Sequence, residues 1–316
     1  MSEDLKKYKL VKINPDNYQF IQQLYKDCFN LKQTIAEIEE KYNTSEFNIR
    51  DIGFLAFDGN QPAAYYGIFP IVAEYNGQDF QIAQTGDVMT SPNYRKKGLF
   101  TFLAKKIHLL AKEYGIELIY GFPNKNSTPG FKRNLEWQFY GTLQNFNFKI
   151  DVFPFSELEI KSRFFKPFYS FLLKRKVSKY QIPLSETEIP TFNNPTNYIK
   201  IKKDIHFFKY KSGRRRYLIK YRGFELFIKV NVNLQIGDVV FFDKDKTDQF
   251  IDAIQELAKE LGCRSAMLAV SPNHWLFDYL KGKINPEEGL PIGGIELSDV
   301  ISLKNFAFTF ADHDIF

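Results

Sequence analysis

One stretch decides how this chain folds: TGDVMTSPNYRKKGLF, residues 85–100. Residues 85–90 are typical of a β-strand, a Pro-Asn pair predicts a turn, and residues 100–114 predict a long helix. Three cations and a glycine, residues 95–98, therefore lie where the helix begins. Because a helix N-terminus presents unpaired N–H groups and the positive end of the helix dipole, this position favours a bound phosphate. The stretch predicts a pyrophosphate-binding loop, and a solvated basic turn before a surface helix is the simpler alternative.

The sequence around this loop predicts an ordered series of elements. The helix after the loop ends at Gly115, which suits a C-terminal cap. A short apolar strand follows over residues 116–122, and then the segment STPGFKRNLEW, residues 127–137. Upstream, periodicity predicts two helices and four strands. One helix begins at Pro15, and the other spans residues 34–42. The strands span residues 9–13, 53–57, 63–75 and 80–90.

These two segments carry a resemblance to a known family. The loop resembles motif A of the GNAT acyl-CoA N-acyltransferases, Arg/Gln-x-x-Gly-x-Gly/Ala, with Arg95 and Gly98 at the matching positions. Phe100 departs from the pattern because it replaces the last small residue. Residues 127–137 resemble the family segment S-x-x-Gly-Phe-x-Lys-x-Leu-Gly-Trp. The resemblance covers roughly residues 8–150 and implies a GNAT domain.

The resemblance implies a binding site for acetyl-CoA as co-substrate. In this family the strand before motif A splays from the next parallel strand, and its backbone pairs with pantetheine, while the loop takes the pyrophosphate. The strand after the loop ends at positions that touch the pantetheine arm or the adenosine side. The positions implied here are Val88, Met89, Thr90, Arg95, Lys96, Lys97, Gly98, Leu99, Phe100, Asn124, Ser127 and Phe131.

The general base has two candidates from the resemblance. Asp87 lies where many members carry an acidic residue beside the acceptor, and a structural carboxylate at a strand bulge is the alternative. The second candidate is the chain terminus, because some tandem relatives thread a terminal carboxylate into the active site. Phe316 is the residue in question, with Asp312 and Asp314 as neighbours that could take the same role.

The general acid of the family is usually a tyrosine at the position of Phe131, which cannot donate a proton. Either Tyr140 or Tyr120 replaces it, or the thiolate leaves without help. The last alternative is chemically reasonable because an unperturbed thiol has a pKa of about 8.5. We therefore take Asp87, Phe316 and Tyr140 as the catalytic candidates.

The second half of the chain repeats part of this pattern. Gly237-Asp238-Val239 echoes Gly86-Asp87-Val88, LAKE recurs before each of two glycines, and Ser271-Pro272-Asn273 falls where Phe122-Pro123-Asn124 fell. The segment in place of the basic loop, DKDKTD at residues 243–248, has three carboxylates and no glycine, so it should repel a pyrophosphate. We predict an α/β (α+β) fold of two tandem GNAT-like domains, mixed central sheets flanked by helices. The predicted divisions are a catalytic domain over residues 1–150, a linker over 151–200 and a degenerate domain over 201–316.

The predicted linker contains an aromatic and basic stretch, FFKPFYSFLLKRK, residues 164–176. It is typical either of a helix lying on a membrane surface, for a lipid-linked substrate, or of a linker helix packed between domains with its lysines in water. We favour the packed helix and expect no membrane contact. Residues 182–197, with three prolines, predict an extended connector.

Composition excludes several classes of protein. With 44% hydrophobic residues the chain can bury a large core, which argues against disorder, and a net charge of +6 suits an anionic ligand but is weak evidence for nucleic acid. Two cysteines far apart, Cys28 and Cys263, and four histidines without metal-ligand spacing predict no metal site. The N-terminus lacks the apolar core of a signal peptide, and no apolar run is long enough to span a membrane. We therefore expect a cytoplasmic protein that binds no nucleic acid, and a homodimer stays open.

The resemblance implies an acetyl-CoA-dependent N-acetyltransferase that acts on a small amine by direct transfer in a ternary complex. Its likeness to tandem proteins of surface-polysaccharide pathways points to an amino sugar or a nucleotide-linked amino sugar. Two alternatives stay open. A Fem-type aminoacyl or acyl transferase also pairs GNAT-like domains, although that class generally lacks a working CoA loop. A non-catalytic acyl-CoA sensor would explain the missing tyrosine at Phe131.

Overall fold

The computed structural model describes residues 3–161, 164–192, 195 and 197–316. The chain divides into two compact units, unit 1 with Met1–Tyr140 and Pro291–Lys304, and unit 2 with Gly141–Leu290 and Asn305–Phe316. Neither unit is continuous, whereas the predicted division at residues 150 and 200 assigned each domain to one continuous segment. The difference arises because two strands pair far from their neighbours in sequence, as described below. Of the predicted N-terminus and connector, residues 1, 2, 193, 194 and 196 lie outside the described residues.

Unit 1 contains the elements that surround the basic loop. Its helices are α1 (Glu3–Lys6), α2 (Tyr18–Phe29), α3 (Ile35–Tyr42), α4 (Leu99–Glu113) and α5 (Thr128–Asn134). Its strands are β1 (Lys9–Lys12), β2 (Ile52–Asp58), β3 (Gln61–Tyr75), β4 (Gln78–Thr90) and β5 (Leu118–Gly121), with the start of β6 (Gln138–Lys149) and the end of β12 (Glu287–Glu296). Each predicted element of this region is present, with ends that differ by a few residues.

The sheet of unit 1 has mixed pairing. Strands β1 to β4 form an antiparallel series, and β4 then pairs with β5 in parallel over only three positions, Ile82↔Leu118 to Gln84↔Tyr120. The far edge of β5 pairs with β12 through Gly293–Glu296. Strand β12, from late in the sequence, is thus part of the same sheet as the N-terminal strands β1 to β5.

Helices cover both faces of this sheet because its strands alternate apolar residues. On one face, Ala56, Tyr66 and Ile68 pack with the buried stripe of α4, which includes Leu103 and Ile107. On the other face, the buried residues come from α2, α3 and the odd-numbered positions of β2 and β3. They are Tyr18, Ile21, Leu24, Tyr25, Ile38, Tyr42, Leu55, Phe57, Tyr65 and Phe69. The period of two in the strands and the helical period in α4 together place α4 and α3 on opposite faces.

Unit 2 contains the remaining elements. Its helices are α6 (Phe155–Lys161), α7 (Phe165–Val177), α8 (Ile205–Lys211), α9 (Thr247–Leu261) and α10 (Trp275–Leu280). Its strands are β7 (Lys200–Ile201), β8 (Arg216–Tyr221), β9 (Phe224–Val230), β10 (Leu234–Val239) and β11 (Ser265–Val270), with the end of β6 and the start of β12.

The order of pairing in unit 2 parallels that in unit 1. Strands β8, β9 and β10 form an antiparallel series, and β10 pairs with β11 in parallel over three positions, Leu234↔Ala266 to Ile236↔Leu268. The far edge of β11 pairs with β6, from Gln144↔Val270 to Lys149↔Ser265. In both units a helix of 15 residues, α4 or α9, joins the two parallel strands. The fold is therefore mixed α/β, and the degenerate character predicted for the second unit stays a prediction.

The aromatic helix α7 packs within unit 2. Tyr169, Leu173 and Val177 are buried in the core cluster of this unit, and the Tyr169 hydroxyl donates to the Leu261 carbonyl at 2.9 Å. The helix is therefore anchored to unit 2 by one face, whereas the alternative favoured from the sequence was a linker helix packed between domains.

The C-terminal segment fills unit 2 beside β10. Val270 pairs with β6 on one edge and with Thr309 in an antiparallel bridge, so Thr309 lies on the edge that faces β10. The Phe316 ring is fully buried at Gly237, where it also packs on Phe227 with ring centroids 5.2 Å apart. The end of the chain is thus part of the core of this unit.

The described part of the chain lacks two kinds of feature. None of the helices described is both long and apolar enough to cross a lipid bilayer. No group of three or more His, Cys, Asp or Glu side chains that could hold a metal ion is found there.

The packing of Phe316 on Gly237 gives a stability prediction. A Cβ at Gly237 would overlap the Phe316 ring, so Gly237→Ala should lower the free energy of unfolding by about 1–3 kcal/mol. Gly282→Ala is the matched control, because nothing lies within 4 Å of its Cβ position. In a Phe316→Ala background the effect of Gly237→Ala should shrink to below about 0.5 kcal/mol. Denaturant unfolding of the four variants measures this, and an unchanged cost in that background would contradict the contact.

A buried histidine gives a pH prediction. Burial first, and then the Lys203 charge, lower the pKa of His274 from 6.5 to about 3. The folded chain keeps this ring neutral while the unfolded chain takes up a proton below pH 6.5, so stability falls as the pH drops from 6.5 towards 3. His274→Asn keeps an N-cap acceptor for the Leu276 N–H and removes this titration. We expect the loss of unfolding free energy between pH 7 and pH 5 to be about 2 kcal/mol smaller in the variant, and an equal loss would refute the assignment.

Candidate active site

The opening of the sheet in unit 1 begins where β4 and β5 part. Their parallel pairing ends at Gln84↔Tyr120, whereas β4 runs on to Thr90. The β5-facing edge of Val88, Met89 and Thr90 is not paired with another described strand of unit 1. A strand edge without a neighbour presents N–H and C=O groups to an extended ligand. The positions predicted for pantetheine therefore lie along this opening.

A bulge in β4 sets the direction of Asp87. The pairing of β3 with β4 shifts register between Tyr65↔Met89 and Gly67↔Gly86, and Asp87 has a left-handed φ of 56°. Such a bulge bends the strand and redirects one side chain. The Asp87 carboxylate turns towards α3, where Lys41 Nζ lies 2.7 Å from Oδ1 and the Tyr42 hydroxyl donates to Oδ2 at 3.0 Å.

The surroundings of Asp87 are largely closed to water. The side chains of Asp87 and Lys41 are 9% and 18% exposed. Burial first, and then the Asp87 charge, raise the pKa of Tyr42 well above its usual value, so Tyr42 stays a hydrogen-bond donor. Each carboxylate oxygen accepts one of these hydrogen bonds and keeps a second lone pair, so Lys41 and Tyr42 fix the orientation of the carboxylate. The geometry thus agrees with the structural alternative for Asp87 and leaves its catalytic role a prediction.

The basic loop has the backbone geometry of an anion-binding turn. Lys96 and Gly98 adopt left-handed φ values of 62° and 79°, and Gly98 is the N-cap of α4 without any side-chain cap. The N–H groups of the first helical turn therefore point into the loop, since the first helical bond comes only from Phe102 N–H to Gly98 C=O at 3.0 Å. Arg95, Lys96 and Lys97 are exposed around this turn. The dipole of α4 and these cations act on the same point.

Two loop side chains have defined contacts. Arg95 Nε donates to the Thr90 carbonyl at 3.4 Å, which folds the guanidinium back towards the end of β4. Lys97 Nζ lies 4.8 Å from the centre of the Tyr94 ring. The loop and the end of β4 are thus held together as one structure.

Phe100, the residue that departs from the family motif, is accommodated by α5. Its ring packs on Phe131 with centroids 5.2 Å apart, and a Cβ at Gly130 would come within 3.3 Å of it. Phe131 is buried at 3% exposure and packs on Trp137. These contacts bring the start of α5 beside the start of α4. Phe100 and Phe131 therefore build the site's core, and a direct ligand contact of either stays a prediction.

The turn before α5 is built by Asn124. Its side-chain oxygen accepts from the Asn126 and Ser127 N–H groups at 2.9 and 3.1 Å, and its carbonyl accepts from the Thr128 hydroxyl at 2.8 Å. A ligand contact of Asn124 would therefore come from its amide nitrogen. The Ser127 hydroxyl donates to the Asn124 carbonyl at 3.2 Å.

Among the remaining candidates, Tyr120 lies where the opening begins, because it forms the last parallel pair with β4 at Gln84. The Tyr140 hydroxyl donates to Gln138 Oε1 at the end of unit 1, and Tyr120 is fully buried within β5. Phe316, Asp312 and Asp314 belong to unit 2. Their roles as base or acid remain predictions.

In unit 2 the corresponding opening is occupied by the chain itself. Beyond the last parallel pair of β10 and β11, the Ser271 N–H donates to the Phe308 carbonyl and the Phe308 N–H donates to Ser271 Oγ, both at 2.8 Å. Asp312 reaches β10 through Lys203, whose Nζ lies 2.9 Å from Asp312 Oδ1 and 2.8 Å from Asp238 Oδ2. The segment before α9 has no left-handed residue.

Sequence reasoning missed three residues around the opening. Lys41 and Tyr42 contact Asp87, and Cys28 lies near Arg95 and Thr90. Burial raises the pKa of the Cys28 thiol, while the Arg95 charge opposes the rise. No local pattern announces the contact of Lys41 with a residue so far along the chain.

Comparisons with known proteins agree with this geometry. Residues 9–140 match the model of the acetyltransferase (GNAT) domain. No curated protein sequence matches the chain. Among solved structures, a GCN5-related N-acetyltransferase from Kribbella flavida superposes with a TM-score of 0.57 at 12% identity, covering 91% of this chain and 70% of the other. One from Anabaena variabilis gives 0.55 at 13% identity, covering 92% and 73%.

A third similar structure is the N-myristoyltransferase of Saccharomyces cerevisiae with bound myristoyl-CoA, with a TM-score of 0.54 at 10% identity, covering 92% of this chain and 82% of the other. At these identities the likeness concerns the fold. Because each match covers more than nine-tenths of this chain, it includes residues of both units. Together with the motif, the bulge and the parting strands, the matched model shows that residues 9–140 of this chain are a GNAT acetyltransferase domain.

Proposed function

We propose that this chain is an N-acetyltransferase that moves the acetyl group of acetyl-CoA to a small amine. The observation that carries the proposal is the unpaired edge of β4 beside the left-handed, cationic loop at the start of α4. The edge of Val88–Thr90 would pair with pantetheine, and the N–H groups after Gly98 would hold the pyrophosphate. The residues present fit CoA, and no second such loop occurs among the described residues of unit 2.

The reaction would proceed by direct attack. The amine lone pair forms a bond to the thioester carbonyl, the C–S bond breaks as the tetrahedral intermediate collapses, and the amine loses a proton. A backbone N–H near Met89 on the open edge would polarise the carbonyl, since a fixed N–H donor stabilises the developing oxyanion. The Met89 N–H itself faces β3, because the Ser91 N–H two residues later donates to the Ala63 carbonyl. CoA can leave as its thiolate because an ordinary thiol has a pKa of about 8.5. A protein acid is then not required, which fits the phenylalanine at position 131.

For Asp87 we propose a role in holding and attracting the acceptor. Its two oxygens are bound by Lys41 and Tyr42, and the pair fixes the bulge that turns the β4 backbone towards the ligand. Although the Lys41 charge offsets that of Asp87, the remaining lone pairs of the carboxylate can accept a hydrogen bond from the acceptor amine. The proton would then leave the amine to water, or to a remaining lone pair of the Asp87 carboxylate.

The acceptor class rests on the resemblance, which favours an amino sugar or a nucleotide-linked amino sugar. The cationic loop with its left-handed glycine argues for CoA and against a Fem-type enzyme that uses aminoacyl-tRNA. A non-catalytic acyl-CoA sensor is the second candidate, because position 131 holds a phenylalanine in place of the tyrosine that is usually the general acid of the family.

Cofactor binding tests the proposal. Gly98→Val puts a β-branched residue at a φ of 79°, where a Cβ makes only an ordinary contact with Leu5 Cδ1 at 3.9 Å, so it should deform the loop through backbone strain. Gly59→Val is the matched control, at a φ of 57° with nothing within 4 Å, in the hairpin between β2 and β3. We expect calorimetry to give one acetyl-CoA per chain, at least about tenfold weaker binding for Gly98→Val, and wild-type affinity for Gly59→Val.

The outcomes separate the candidates. No binding by the wild type would refute every CoA-dependent function, and two sites per chain would refute the assignment of a single site to unit 1. Binding followed by thiol release with an amino sugar supports the acetyltransferase. Binding of acetyl-CoA and long-chain acyl-CoA without thiol release on any amine tested, amino sugars included, supports the sensor.

The role of Asp87 has its own test. If Asp87 attracts and positions the amine, Asp87→Asn should raise the KM for the amine about tenfold or more, with a smaller change in kcat and no loss of the acidic limb of the pH–rate profile. Lys41→Met should show the same direction, because it removes the partner that orients the carboxylate. A fall of kcat beyond about a hundredfold at unchanged KM, with loss of the acidic limb, would instead identify Asp87 as the general base.

A further inference from the structure

Helix α7 of unit 2 presents phenylalanines to solvent. Its inward residues are buried in the core, but Phe164, Phe168 and Phe171 are 93%, 52% and 64% exposed. Their spacing of three and four residues places them on one side of the helix. Large exposed apolar patches on a folded protein mark a surface that contacts another phase or molecule.

The exposed rings continue onto the segment before α6. Phe153 is 60% exposed and packs edge-on against Phe155, with centroids 4.9 Å apart. Phe155 stacks on Phe165, and Phe165 contacts Phe168 at 5.4 Å between centroids. We use the term aromatic face for five exposed or half-exposed rings, those of Phe153, Phe155, Phe164, Phe168 and Phe171.

The charge on α7 is of one sign. Its sequence, FKPFYSFLLKRKV, contains no acidic residue, and Lys166, Lys174 and Arg175 are exposed beside the aromatic face. On the neighbouring α6, the Glu159 carboxylate is bound by Arg215 at 2.5 Å and is 8% exposed. Of the acidic residues near Phe153 and Phe155, Glu159 is thus paired, Glu157 lies 3.9 Å from Arg264 and Asp151 is exposed. The cationic side of the aromatic face is therefore α7.

We propose that the aromatic face docks this protein on the surface of an anionic lipid bilayer. Phenylalanine side chains carry no hydrogen-bonding group, so they can enter the acyl boundary at no polar cost, while flanking cations contact anionic headgroups. This combination of apolar rings on a ridge with cations beside them complements a bilayer surface. The helix lies in the interface, because α7 is anchored to unit 2 by its other face.

The two sides of α7 explain how one helix serves both purposes. Tyr169, Leu173 and Val177 hold it to the core of unit 2 through side-chain packing and the hydrogen bond to the Leu261 carbonyl. The face that remains has no core residue to bury it within the described part of unit 2. The inference does not depend on the reaction proposed for unit 1.

Vesicle flotation with the full chain tests the proposal. We expect the wild type to float with vesicles of phosphatidylcholine and phosphatidylglycerol, and to float far less with phosphatidylcholine alone or at high salt. Phe168→Ser/Phe171→Ser should weaken the partition into anionic vesicles at least about tenfold. Phe29→Ser is the matched control, because Phe29 is 50% exposed on α2 of unit 1 and lies outside the aromatic face.

Charge reversal forms the second arm. Lys174→Glu/Arg175→Glu should reduce binding to anionic vesicles by a similar factor, and Lys105→Glu/Lys106→Glu, two exposed lysines of α4, should leave it unchanged. Circular dichroism confirms that each variant is folded. Failure of the wild type to float with any vesicle would overturn the proposal. So would concentration-dependent self-association that the Phe168→Ser/Phe171→Ser variant loses, since a second copy would then be the occupant.

Discussion

The short parallel pairing of β4 with β5 is the constraint on which the rest of unit 1 depends. After three residue pairs the two strands part, and beyond them the β5-facing edge of β4 is not paired with another described strand of unit 1. The bulge at Asp87 lies within this stretch, and α4 begins after the basic loop that follows it. Backbone donors along one strand edge and at one helix terminus thus meet at the same end of the sheet. An extended ligand that ends in a pyrophosphate satisfies both sets.

Unit 2 meets the same constraint by other means. Its β10 and β11 also part after three pairs, and the chain's own residues 306–316 enter the gap. The Phe308 backbone and the Ser271 hydroxyl and N–H satisfy each other there, and Phe316 occupies the space over Gly237. Lys203 between Asp238 and Asp312 ties the segment to β10, and its single charge is shared by two buried carboxylates. Burial raises the pKa of Asp312, which favours its neutral form beside Asp238. One sheet architecture therefore leaves room for a ligand in unit 1 and buries its own C-terminus in unit 2.

Much of this could be predicted from the sequence, and the failures share one physical cause. Local patterns carry the helices, the meander and the glycine before α4, because periodic burial and a left-handed φ are properties of neighbouring residues. The sequence did not predict that β6 begins in unit 1 and ends in unit 2, or that β12 does the reverse. The alternation of apolar residues indicates which face of a sheet a residue occupies, but not which strand lies beside it. For the same reason the Lys41–Asp87 pair and the burial of Phe316 were beyond reach. Each depends on contacts between residues far apart in sequence.

Helix α7 shows how a structure can separate two readings that a sequence leaves mixed. Apolar residues occur all round this helix, so periodicity alone does not say which side is buried. Packing takes Tyr169, Leu173 and Val177 inward and leaves Phe168 and Phe171 in water. Fully burying one such ring is worth roughly 1.5–3 kcal/mol. Phe168 and Phe171 add no burial to a helix whose outer face stays in water. Polar residues at these two positions would leave the inner packing unchanged. The buried residues therefore explain how α7 is held in unit 2, and the proposed docking on a bilayer explains its exposed phenylalanines.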